Sequence, residues 1–109
     1  MLIVKVKICG LTNYDDAMAA ADLGADILGF NFYPKSPRYV KPEEAAKIIN
    51  KLPAYVDVCG VFVNAPFKQI RQVMDDCLLG WVQFHGDEDL KFCESFQSLN
   101  VKTIKVFVL

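Results

Sequence analysis

The sequence predicts an α/β fold built on one parallel sheet, and three observations predict it. Period-2 apolar runs alternate with helical runs along the whole chain. The strand-like runs recur at roughly 25 residues, close to the shortest βα unit. Polar residues stand just past the C-terminal ends of those runs, at Cys9, Asn64 and His85. In parallel α/β proteins that end of the sheet is where side chains meet ligands.

The 109 residues are enough for one core and one domain. A hydrophobic content of 53% excludes a disordered tail. A formal net charge of −1 gives no reason to expect nucleic acid or an anionic membrane as partner, and leaves a locally positive small-molecule site open. No uninterrupted apolar run is long enough to span a bilayer. Lys5 and Lys7 interrupt the N-terminal apolar stretch, unlike a signal peptide. Cys9, Cys59, Cys77 and Cys93 lie far apart without a C-x-x-C, so free thiols in a reducing cytoplasm are expected.

The first strand runs from Ile3 to Cys9, with Val4, Val6 and Ile8 on one side and Lys5, Lys7 and Cys9 on the other. The second side carries two lysines, so it faces a polar barrel interior or solvent. Thr12 is the expected N-cap of a helix that passes through Ala17, Ala20 and Ala21 and stops at Gly24. Asp26 to Phe32 is the second strand, with Gly29 leaving room for a ligand or a neighbouring strand. Tyr33 to Lys41 is a loop that Pro34 and Pro37 keep extended. Pro42 opens a helix that reaches Leu52. Val56 to Val63 is the third strand, and Pro66 starts a helix ending near Gly80. Trp81 to Phe84 is the fourth strand, followed by a helix to about Leu99. Val101 to Leu109 reads as the fifth.

Right-handed crossovers make all five strands parallel. The near-equal units and the polar residues at several strand ends favour the (β/α)₈ (TIM) barrel over an open doubly wound sheet, which gathers its site at one switch point. No G-x-G-x-x-G or P-loop pattern occurs. A complete barrel needs about 250 residues. Five strands and four helices therefore read as the first half, and residues 1–109 as the N-terminal part of a single barrel domain. The open strand edges also permit self-association, with a non-catalytic half-barrel as the corresponding alternative function.

Cys9 has two readings, a buried small hydrophobe or a thiolate base with Lys7 and the following helix N-terminus nearby. Arg38 is either a solvated loop charge or a fork for a carboxylate or phosphate. His85, before Gly86-Asp87-Glu88, is a surface group or a substrate contact. Asn64 and Gln83 are the candidate amides, Gln83 equally suited to the barrel layers. Lys105 suits Schiff-base chemistry of an aldolase or epimerase barrel if it faces inward, and its neighbours leave its direction open. One histidine and scattered cysteines offer no metal-ligand spacing.

Four stretches carry a family resemblance: K-I-C-G-L-T (Lys7 to Thr12), G-F-N-F-Y-P-K-S-P-R-Y-V (Gly29 to Val40), G-V-F-V-N (Gly60 to Asn64) and V-Q-F-H-G-D-E (Val82 to Glu88). In this order and spacing they resemble phosphoribosylanthranilate isomerase of tryptophan biosynthesis. The resemblance implies a (β/α)₈ barrel, a phosphorylated small-molecule substrate and no metal or organic cofactor. It implies an Amadori rearrangement of N-(5-phosphoribosyl)anthranilate to 1-(2-carboxyphenylamino)-1-deoxyribulose 5-phosphate. The family's general base falls on Cys9, its arginine for the anthranilate carboxylate on Arg38 and its strand-four histidine on His85. Its general acid is an aspartate of the sixth strand, and its phosphate site is built by the seventh and eighth loops. Both are expected to be absent from these 109 residues, and the chain alone to be inactive. Phe84 stands where the family usually has leucine, and Lys41 where a serine-like cap is common.

Overall fold

The computed structural model describes residues 4–108. Five strands form one parallel sheet in chain order, β1-β2-β3-β4-β5. They are β1 (Lys7–Ile8), β2 (Ile27–Asn31), β3 (Asp57–Phe62), β4 (Trp81–Phe84) and β5 (Lys102–Lys105). Helices α1 (Tyr14–Asp22), α2 (Pro42–Ile49), α3 (Phe67–Cys77) and α4 (Leu90–Glu94) fill the connections, and a 3₁₀ turn at Gln97–Leu99 follows α4. The expected alternation of strand and helix is present, with the sheet order of an incipient barrel rather than of a doubly wound sheet.

The register sorts the side chains into two faces. Phe62 pairs with Phe84, and Phe84 with Lys105. Phe62, Phe84, Leu28 and Phe30 are fully buried against the helices, together with Ile70 and Phe96. The other face carries Lys7, Gly29, Val61, Gln83 and Ile104 by the same pairing. Lys7 Nζ donates to Gln83 Oε1 at 2.7 Å, across three strand spacings. In a flat sheet those strands would stand about 14 Å apart with parallel side chains. The bond requires the sheet to curl around this face, as in the wall of a barrel.

Several boundaries differ from the sequence expectation. The N-cap of α1 is Asn13, not Thr12. Its side chain accepts from the Asp16 amide at 2.8 Å, and its Nδ2 donates to Asp16 Oδ2 at 2.9 Å. The Asn13 side chain thus satisfies one free amide of the first turn and is itself held by the Asp16 side chain. Lys41 caps α2 without a side-chain hydrogen bond, and Glu43 and Glu44 in the first turn complement the helix dipole instead. The helix ends at Ile49, short of Leu52. Pro66 is the N-cap of α3 rather than its first residue, and the left-handed turn that ends α3 is taken by Leu78 (φ 53°), not by Gly80.

Two strands are shorter than their apolar runs. β1 pairs on one side only, and Val6 spends its carbonyl on the Asp26 and Ile27 amides and its own amide on the Asp26 carboxylate. The expected start at Ile3 lies outside the described residues. β5 stops because β4 stops: the Val106 amide reaches Phe84 O, and beyond it the neighbouring chain has turned away. Phe107 and Val108 are exposed coil, and Leu109 lies outside the described residues.

Candidate active site

Each side chain in the site is placed by a strand end or by a glycine that makes room for it. Cys9 follows β1 directly and is exposed, so it is no buried hydrophobe. Gly29 of β2 lies against it: a Cβ there would stand 3.0 Å from Cys9 Sγ and 3.2 Å from Cys9 Cα. Gly10 has φ +82°, and a Cβ there would come within 2.5 Å of Arg38 Cδ. The Arg38 stem therefore lies across the residue next to Cys9.

The loop holding Arg38 is tied down along its length. Ser36 and Tyr39 amides donate to Tyr33 O and Ser36 O at 3.0 and 3.1 Å. The Arg38 amide donates to Ser36 Oγ at 3.1 Å. Val40 N–H returns to Asn31 O at 3.0 Å, and Asn31 Oδ1 accepts from the Tyr33 amide at 2.8 Å. The guanidinium makes no ion pair among the described residues. A restrained, unpaired guanidinium is prepared for a carboxylate or a phosphate at little entropic cost.

His85 follows β4, its amide donating to Phe62 O at 2.9 Å and its side chain exposed. Cys9, Arg38, His85, Lys7 and Gln83 border one cleft of about 480 Å³, closed on the β2 side by Asn31. Two side chains bordering this cleft, Lys7 and Arg38, are cationic, and among the described residues no carboxylate borders it. Its potential therefore favours an anionic ligand, although the whole chain is slightly negative.

The other thiols are poorly suited to chemistry. Burial pushes the Cys59 thiol up to about 12, with Lys7 pulling partly the other way. Burial, then Asp76 and Glu43, pushes Cys77 up to about 11. Burial also raises Cys93. Cys9 is the thiol left at the cleft.

Two candidates lie elsewhere. Asn64, with φ 50°, gives its amide to Glu88 Oε2 and accepts the Asp87 amide on Oδ1, both at 2.8 Å, and does not border the cleft. Lys105 pairs in register with Phe84, so it leaves the sheet on the helix side, where its Nζ donates to Gly86 O at 2.6 Å and to Glu88 Oε1 at 3.0 Å. It reaches no part of the cleft. Sequence reasoning missed Asn31, whose signal was a polar residue in phase with Gly29 at a strand end. It also missed Glu88, which had none beyond an acidic position after a glycine.

Residues 6–109 match the family model described as N-(5'phosphoribosyl)anthranilate (PRA) isomerase. The chain belongs to the PRA isomerase family. Among relatives named N-(5'-phosphoribosyl)anthranilate isomerase, that of Geotalea daltonii is 52% identical over 103 residues, covering 94% of this chain and 48% of the relative. That of Trichlorobacter lovleyi is 48% identical over 103 residues, covering 94% and 50%. The PRA isomerase crystal structure from Thermotoga maritima superposes with a TM-score of 0.90 at 44% identity, over 94% of this chain and 50% of that one. The enzyme from Thermus thermophilus gives 0.91 at 37% identity, over 97% and 52%. A further PRA isomerase structure, described as a complex with reduced 1-(o-carboxyphenylamino)-1-deoxyribulose 5-phosphate, superposes with a TM-score of 0.90 at 44% identity, over 94% and 53%. The chain thus spans about half the length of the relatives it matches, and its fold is one half of the family's TIM barrel. Among the described residues no helix is long and apolar enough to cross a membrane, and no three His, Cys, Asp or Glu side chains gather closely enough to hold a metal ion.

Proposed function

We propose that residues 1–109 are the N-terminal part of a single (β/α)₈ domain that catalyses the Amadori rearrangement of N-(5-phosphoribosyl)anthranilate. One observation carries the reading: Cys9, Arg38 and His85 converge on one cationic cleft without a carboxylate. The ligand in the relative's structure is a carboxyphenylamino sugar phosphate, an anion at both ends. Arg38 takes the anthranilate carboxylate, and its fork geometry suits that group. Cys9, as thiolate, removes the proton from C2 of the ring-opened Schiff base, leaving an enamine that tautomerises to the ketone. His85 contacts the substrate from the β4 side. Lys7, fixed by Gln83, borders the same cleft and adds positive charge to it.

Opening the ribose ring needs a proton donor at the ring oxygen, and no carboxyl group borders this cleft among the described residues. We assign the general acid and the phosphate contacts to a complementary half. The exposed side of β1 supports this. Val6 and Ile8 are 47% and 40% exposed beside Leu23 and line an apolar groove of about 310 Å³. A parallel strand is normally covered on both faces. Without a complementary half, the same open edges serve for pairing two copies of the chain.

The test is complementation with the separately expressed C-terminal half of the Thermotoga maritima relative, following anthranilate fluorescence. The 109-residue chain alone is expected to give no appreciable turnover, and the mixture to restore it. Turnover by the chain alone at rates of a complete enzyme overturns the assignment of the acid. No turnover from an assembled mixture overturns the isomerase reading. In the active mixture, Arg38→Met is expected to raise KM by roughly tenfold to a hundredfold with kcat little changed, the loss of a charge-assisted hydrogen bond. A defect in kcat alone counts against the carboxylate role.

A further inference from the structure

Glu88 touches neither Cys9 nor Arg38, yet its side chain is only 3% exposed and its carboxylate is fully engaged. Oε2 accepts the Asn64 amide at 2.8 Å, from the chain leaving β3. Oε1 accepts the Gly86 amide at 2.8 Å and the Lys105 ammonium at 3.0 Å, from the chain leaving β4 and from β5. Lys105 also donates to Gly86 O at 2.6 Å, so both sides of Gly86 are held. Asn64 Oδ1 holds the Asp87 amide, and a Cβ on Gly86 would stand 2.6 Å from that oxygen. Three neighbouring strand ends are thus joined through one carboxylate.

His85 lies between the two anchored points of this loop. Its own amide is fixed to Phe62 O, and the next amide is fixed to Glu88. We propose that Glu88 is a positioning residue, whose carboxylate latches the ends of β3, β4 and β5 and thereby sets the imidazole of His85 at the edge of the cleft. This deepens the isomerase reading and rests on it only for the consequence for substrate binding. Burial opposes ionisation of Glu88, but the hydrogen bonds from Asn64, Lys105, its own amide and Gly86 hold its carboxyl below the ordinary glutamate value. The carboxylate therefore stays charged and in place around neutral pH.

The chain has one histidine, so its imidazole gives one unambiguous set of NMR signals. In Glu88→Gln the His85 ring resonances are expected to move and broaden. Amide-exchange protection at Asn64 and Gly86 is expected to fall roughly tenfold to a hundredfold, as charge-assisted acceptors are lost. Glu88→Asp keeps the charge but is one methylene too short to span both amides. It should show the same local loss in a folded chain even if the glutamine variant unfolds. Glu44→Gln is the control, since among the described residues that exposed carboxylate pairs with Lys47 alone, at 3.5 Å. In the complemented enzyme Glu88→Asp is expected to raise KM with kcat little changed, because the latch sets a substrate contact. Unmoved His85 signals and unchanged protection at Gly86 in a folded Glu88→Asp chain overturn the latch. Altered signals with normal KM overturn its consequence for substrate binding. An inactive wild-type mixture sinks the isomerase reading alone, because the NMR measurement on the chain still decides the latch.

Discussion

Replacing Cys9 by alanine in the complemented enzyme is expected to lower kcat by roughly two to four orders of magnitude, the usual weight of a positioned general base. Two features make the effect chemical rather than structural. Cys9 is exposed, so alanine opens no core cavity. Gly29 packs against the Cys9 backbone as well as its sulfur, so the end of β1 keeps its place. The reduced product analogue should therefore still bind, held by Arg38. Cys9→Ser sharpens the test. Serine matches the shape, but a hydroxyl is far too weak an acid to give an alkoxide base at neutral pH. The serine variant should thus be nearly as slow as the alanine one. No other thiol substitutes, because Cys59 is held at about 12 by burial and is almost wholly protonated at neutral pH. Turnover within threefold of wild type in Cys9→Ala removes Cys9 from the mechanism. A lost affinity for the analogue would instead make Cys9 a binding residue.

What could be read without coordinates was whatever depends on neighbours in sequence. The alternation through Val6, Lys7, Ile8 and Cys9 already puts Lys7 and Cys9 on one face, and a thiol just before Gly10 marks the strand's end. Two prolines around Arg38 already restrain its loop. What escaped depends on partners far along the chain. Thr12 and Asn13 each have an aspartate three residues on, and only the closed geometry shows that Asn13 makes the cap. The flanks of Lys105 suit either face, and the register with Phe84 decides for the helix side. The length of β5 is set by where β4 turns away, not by the apolar run itself. Glu88 is the extreme case: its three partners lie on three different strand ends, so no local pattern marks it.

The other large effect is expected on stability, from Phe96→Ala. Phe96 is fully buried, with ring centroids 4.8 Å from Phe67, 5.2 Å from Phe84 and 5.5 Å from Phe92. Phe84 is equally buried and meets Phe92 edge-on at 5.7 Å. This cluster joins α3 and α4 to the back of β4, one residue before His85. Truncating a buried phenylalanine costs about 3–5 kcal/mol, from lost transfer energy and the cavity left behind. A domain of this size is stable by only about 5–15 kcal/mol. The apolar groove along β1 leaves part of the potential core uncovered, which argues for the low end of that range. The urea midpoint should fall by about 2 M for a slope near 2 kcal/mol per molar. Phe107→Ala is the matched control, because that ring is 69% exposed in coil and its loss should change stability by less than about 0.5 kcal/mol. Similar midpoints for the two variants would mean that the Phe84–Phe96 contact does not support β4. The floor of the cleft would then have to be held by the β3 and β5 ladders alone.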